Sequence, residues 1–143
     1  MWGALFALFA PVFGDYSLPV EVKSPEFREE RLCAAEGGRW EAGRCLVGLE
    51  NNIAVKAEGD GGVALSIYLI GDEYAECNFS ALGEVRGQNV FARVELSESG
   101  PFCEVKLTWV GEKVVNLSNN GNCAALCDAG MSLEADGFTI VSP

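Results

Sequence analysis

Apolar residues recur at every second position along several short stretches, and no other feature restricts the fold of this chain as strongly. In the clearest stretch Cys103, Val105, Leu107 and Trp109 alternate with Glu104, Lys106 and Thr108. Successive side chains of a strand point to opposite faces, so the pattern gives one apolar and one polar face. Val63, Leu65, Ile67 and Leu69 repeat it, as do Val90, Ala92, Val94 and Leu96. Further strands are expected at Ile53–Glu58, Tyr74–Leu82, Lys113–Leu117, Met131–Ala135 and Phe138–Val141. Turn chemistry separates them at Asp60-Gly61-Gly62, Gly83, Ser99-Gly100-Pro101, Gly111, Asn119-Asn120-Gly121 and Asp136-Gly137. Strands joined by tight turns pair antiparallel, because parallel pairing needs a crossover of a dozen residues or more. With one apolar face each, they must close on themselves or pack on a second sheet. The expected fold class is mainly β, a small antiparallel up-and-down barrel or sandwich of about 7–8 strands.

One N-terminal helix is expected ahead of the strands. Asp15 to Lys23 reads as an extended lead-in punctuated by Pro19. Ser24 then suits a helix cap, Pro25 the first helical position, and Glu26, Glu29 and Glu30 the positive end of the helix dipole. The helix is expected at about 25–36, stopped by Gly37-Gly38, with Phe27, Arg31 and Ala34 on one stripe.

The 143 residues make one domain. Met1 to Gly14 carry no charge and are too short to span a bilayer as a helix. They fit the apolar region of a secretory signal cleaved before Asp15, although its basic leading region is missing. The other reading is an apolar N-terminal segment kept in the mature chain. Residues 15–143 are then a single secreted β domain, with no stable membrane span.

Cys33, Cys45, Cys77, Cys103, Cys123 and Cys127 are even in number, dispersed, and free of any C-x-x-C spacing. They read as structural disulfides of an oxidising compartment, periplasmic or extracellular. Register orders them. A turn at Ser99-Gly100 sets Cys103 opposite roughly Leu96, and one near Arg86 sets Leu96 opposite roughly Ala75. Cys77 and Cys103 then lie a whole strand apart, about 9–10 Å, beyond disulfide reach. The turn at Gly111-Glu112 sets Cys103 opposite about Asn120, beside Cys123. The expected pairs are Cys103–Cys123, Cys77–Cys127 and the local Cys33–Cys45, with Cys123–Cys127 the alternative if that segment forms a looped turn.

Composition narrows the function. Without histidine there is no Ser-His-Asp or Cys-His centre and no imidazole metal site. Ten Lys and Arg against 21 Asp and Glu give a net charge of −11, which argues against a nucleic-acid partner. No calcium-loop pattern, G-x-S-x-G elbow, P-loop or dinucleotide fingerprint occurs, so no metal, cofactor or enzymatic activity is expected. Glu26, Glu29, Glu30 and Glu36 read as a solvated helix face.

Two stretches carry resemblances. The run from Cys33 to Cys45, C-x3-G-G-x-W-x4-C, resembles a disulfide-closed module of small secreted bacterial proteins. From about Cys77 to Phe138, an inward Cys, the C-x-V-x-L-x-W strand, Cys123-Ala-Ala-Leu-Cys127 and a final Leu133…Gly137-Phe138 strand look like small exported proteobacterial proteins. Those are similar in organisation to the periplasmic lysozyme inhibitors, which are compact β-barrels. In that family a Ser-Gly-x-Tyr loop enters the lysozyme cleft and hydrogen-bonds its catalytic carboxyls. Ser99-Gly100-Pro101-Phe102 is the nearest match, with Phe102 in place of the family's Tyr. The resemblance implies a protein-binding module whose contact residues are Ser99, Gly100 and Phe102 and whose partner is a basic protein such as lysozyme. The alternatives are a calycin-like carrier of a small apolar ligand, which needs an empty interior, and a structural envelope protein. Inward Phe79, Trp109 and Phe138 point to a filled interior.

Overall fold

The computed structural model describes residues 9–97 and 100–142. Its strands are β1 (Gly14–Ser24), β2 (Arg39–Glu41), β3 (Arg44–Ala57), β4 (Gly62–Ile70), β5 (Glu76–Arg86), β6 (Asn89–Glu95), β7 (Phe102–Gly111), β8 (Val114–Asn119) and β9 (Ala135–Ser142). All pairings between them are antiparallel. From β3 to β9 each strand pairs with the next in sequence, and β1 pairs with both β9 and β3. Eight strands thus close into a barrel, which removes most of the open edge that a sheet otherwise presents. The short β2 is appended to β3 as a hairpin.

Alternation fills the inside. Val63, Leu65, Ile67 and Leu69 of β4, Val105, Leu107 and Trp109 of β7, and Val115 and Leu117 of β8 are buried in one cluster with Tyr16, Ile53, Phe79 and Phe138. At the mouth where β1 begins, Phe9 and Phe13 pack against the same cluster. The Tyr16 hydroxyl donates to the Val12 carbonyl at 2.5 Å and accepts from Trp109 Nε1 at 2.9 Å, so a buried phenol and indole are both satisfied.

Burial raises the Tyr16 pKa above its ordinary value, against the opposing effect of the Trp109 hydrogen bond. The unfolded chain releases this proton first, so stability is full below the unfolded pKa of 10.0 and falls as pH climbs through the higher folded value. Tyr16→Phe is expected to flatten part of that alkaline loss, which urea unfolding between pH 8 and pH 11 will read; an unchanged alkaline slope contradicts it.

Several elements differ from the sequence expectation. The helix, α1, covers only Glu30–Ala35, because β1 stays paired with β3 as far as Ser24↔Cys45 and Glu29 is still extended. Ser24 ends a strand instead of capping a helix; its Oγ accepts from the Glu26 N–H at 3.2 Å and lies 2.6 Å from the Tyr74 hydroxyl. Of α1 only Cys33 is buried, so the Phe27, Arg31 and Ala34 stripe makes no core contact and the disulfide holds the helix. The lead-in is a full wall strand of 11 residues. Pro19 is tolerated in it because β9 pairs with β1 only at Asp15–Ser17, leaving one side of Pro19 free. Asp136-Gly137 lies inside β9, where Gly137 takes a positive φ, donates to Asn116 Oδ1 and accompanies a register shift against β8. Residues 131–134 are not a strand, although Leu133 is buried.

Disulfides join Cys33 to Cys45, Cys77 to Cys127 and Cys103 to Cys123. Cys103 stands opposite Val94, two residues from the expected Leu96, because the β6–β7 connection is longer than a tight turn. At the first bridge the paired glycines have separate roles. Gly37 takes φ +80 after the helix, and a Cβ on Gly38 would lie 2.7 Å and 2.8 Å from the Cys45 and Cys33 sulfurs.

Candidate functional site

The β6–β7 connection was the expected contact loop, and Ser99 lies outside the described residues. Gly100 is exposed. Phe102 opens β7 on the barrel's outer face, half-buried, with the Arg93 guanidinium 4.7 Å from its ring centroid. Its carbonyl accepts from Asn120 Nδ2 at 3.0 Å, and the Cys103–Cys123 disulfide follows immediately. The base of the loop is therefore fixed on both sides. Phe102 belongs to the wall and not to a protruding tip.

That wall is the most feature-rich part of the surface. Register places Arg93 beside Glu104, Phe91 beside Lys106 and Glu95 beside Phe102 across β6 and β7. Arg86 lies 4.5 Å from the Phe91 ring centroid and bonds Glu84 through Nε at 2.9 Å. Arg93 is ion-paired with Glu95 at 3.9 Å. Half-buried aromatics topped by arginine belong to the residue types that carry binding energy at protein interfaces.

Among the described residues Leu82 is the most exposed large apolar side chain, at 70%. It borders two open hollows. One, of about 420 Å³, is lined by Leu82, Gly83, Glu84, Phe91, Arg93 and Glu104 among others. The other, of about 380 Å³, has small walls: Ala54, Ala64, Ser66 and Ser80. Both lie on the barrel's flank, outside the ring of buried side chains.

Sequence reasoning missed Leu82 as a surface residue. The signal was parity, because Cys77, Phe79 and Ala81 take the inward positions of β5 and leave Leu82 facing out. Near the far end of β5, the Tyr68 phenol hydrogen-bonds Glu76, and chiefly for that reason its pKa is raised, since a phenolate would face a carboxylate.

Chemically the wall offers shape, apolar contact and charge. Among the described residues no three or more metal-ligating side chains converge to hold an ion. No described helix is long and apolar enough to cross a membrane. No protein-family model, curated protein or solved structure matches the chain.

Proposed function

We propose that this protein is an exported, acidic protein-binding module that engages a basic partner through its outer surface, with lysozyme the partner class to test first. One observation carries the reading: the barrel is occupied by its own side chains. Trp109, Tyr16, Phe138, Leu65, Leu107 and Leu117 are all essentially fully buried. A carrier of apolar ligands needs hundreds of Å³ of empty interior, whereas a small barrel filled in this way leaves recognition to its surface. That surface bears an excess of acids, 21 against 10 basic residues, which steers basic partners towards it and speeds encounter. Three disulfides are in keeping with an oxidising compartment, periplasmic or extracellular. Organisation like that of the periplasmic lysozyme inhibitors supports the choice of partner, with Ser99, Gly100 and Phe102 as the first contact residues to change.

Titration of the oxidised protein into c-, g- and i-type lysozymes at moderate salt, following cell-wall lysis, tests the reading. One type is expected to be inhibited stoichiometrically, and Ser99→Arg to abolish that inhibition while the fold stays intact. Full activity of all three types at excess protein would remove lysozyme as the target.

A further inference from the structure

The barrel end at which β1 begins is finished by residues that precede Asp15. Phe9 and Phe13 pack against the core cluster, and the Val12 carbonyl is the acceptor of the buried Tyr16 hydroxyl. Gly14 is already paired with Val55. A cut before Asp15 would take both rings off the core and leave that hydroxyl without its acceptor. Signal peptidases read small residues one and three positions before their cut. No pair ahead of Phe9 fits, since Ala4 stands two residues after Trp2 and Ala7 two after Leu5; Ala10 likewise follows Leu8.

The same end gathers exposed apolar side chains. Pairs Asp15↔Ser142, Arg86↔Asn89 and Gly111↔Val114 set the end of β9 and the β5–β6 and β7–β8 turns beside the start of β1. Of the five exposed large apolar side chains among the described residues, three lie here: Val85 at 40%, Val110 at 48% and Val141 at 65%. Val85 has the inward parity of Cys77 and Phe79, yet it stays exposed at the rim. Val110 and Val141 have the outward parity, each next to a residue turned to the core, Trp109 and Ile140. Among the exposed charges at this end, Asp15, Glu58, Asp60 and Glu112 outnumber Lys56 and Lys113, and Glu84 pairs with Arg86.

We propose that Phe9–Gly14 stays on the mature chain as the stopper of the barrel mouth, and that the uncharged stretch kept there seats this end of the barrel on a lipid surface with neutral headgroups. Retention leaves Trp2, Leu5, Phe6 and Leu8 on the protein, apolar residues whose transfer out of water is favourable. Phe9 and Phe13 fix where that stretch leaves the barrel, which is the end where Val85, Val110 and Val141 are exposed. Fourteen uncharged residues fall short of a helix across the roughly 30 Å hydrocarbon layer, so the contact is with one leaflet. Charge selects the headgroup. Acids prevail at this end and over the whole chain, at −11, so an anionic surface repels the protein and a neutral one does not. The β6–β7 connection lies at the other end of the barrel, so a lipid-seated molecule keeps that loop in water. The lipid contact does not depend on lysozyme being the partner.

Flotation of the full oxidised chain with phosphatidylcholine vesicles tests the surface. At about 1 mM lipid more than about half of the protein is expected to float with the vesicles; none floating overturns the lipid contact. Val110→Glu with Val141→Glu charges the rim at exposed positions that the core does not use, and is expected to weaken partitioning by about fivefold or more. Leu32→Glu is the control, an exposed apolar residue on α1 at the opposite end, and is expected to change nothing. Unchanged partitioning of the rim variant, or an equal loss in the control, overturns the mouth as the contact face. Replacing half of the lipid by phosphatidylglycerol at low salt is expected to weaken binding by about threefold or more; tighter binding overturns the neutral headgroup. Retention is read separately, by intact mass of the protein made from the full sequence in a bacterial host, with free thiols alkylated at lysis. Unalkylated molecules have met an oxidising compartment and are expected to carry Phe9–Gly14. Unalkylated molecules that begin at Asp15 overturn the stopper.

Discussion

Trp109→Ala will lower the free energy of unfolding by about 3–5 kcal/mol, a large share of what a domain of this size has. Trp109 is fully buried, packs edge-on against Tyr16 at 5.9 Å between ring centroids and donates its indole N–H to the Tyr16 hydroxyl. Truncation therefore removes the largest inward side chain and leaves a cavity among strands that cannot all collapse onto it. Trp109→Phe keeps most of the apolar volume and loses the indole donor, so its cost is expected to be smaller, about 1–2 kcal/mol. Equilibrium urea unfolding of both variants measures this. A loss below about 1 kcal/mol for the alanine variant would mean that the interior is not packed around this ring.

The second large effect is in the disulfides, and it is an ordering. Cross-links restrict the unfolded chain more when they close longer loops. Cys77–Cys127 spans 50 residues, Cys103–Cys123 spans 20 and Cys33–Cys45 spans 12. On loop entropy alone, paired Cys→Ala replacements are expected to cost about 4, 3.3 and 2.8 kcal/mol in that order. The Cys77–Cys127 bridge also pins the β8–β9 connection against β5. Its removal is expected to speed exchange of the Glu76 amide, which Asp128 now holds. Denaturation midpoints of the three double variants give the ordering. A Cys77/Cys127 variant as stable as the Cys33/Cys45 variant would contradict it.

The barrel was legible where information is local. Alternation at Val63–Leu69, Val90–Leu96 and Cys103–Trp109 marks β4, β6 and β7 because each of these strands has one face inside and one in water. Legibility failed where a distant partner decided the outcome. Ser24-Pro25-Glu26 has the chemistry of a helix start, yet the ladder from Gly14↔Val55 to Ser24↔Cys45 holds that stretch extended. The same ladder makes β1 a wall strand although Pro19 interrupts its pattern. Asp136-Gly137 has turn chemistry, but Asn116 receives the Gly137 N–H and turns it into an irregularity within β9. The wall around Leu82 was hidden for a similar reason. One of its hollows is floored by small outward residues of three neighbouring strands, Ala54, Ala64, Ser66 and Ser80, and which strands are neighbours is not encoded in the residues of any one of them. The close approach is written in one residue only: a Cβ on Gly83 would stand 2.3 Å from the Phe91 carbonyl oxygen.

Whether the interior or the outer wall does the binding is decided most directly by titrating a neutral apolar fluorophore, 1-aminoanthracene, into the oxidised protein and following energy transfer from Trp109. Replacing Trp2 and Trp40 by Phe leaves Trp109 as the single donor. A barrel filled by Tyr16, Trp109 and Phe138 admits no such ligand, so no saturable transfer is expected up to about 0.1 mM, well above the range of a built carrier site. Saturable one-to-one transfer, competed by a second apolar ligand, would contradict the filled barrel and make the protein a carrier.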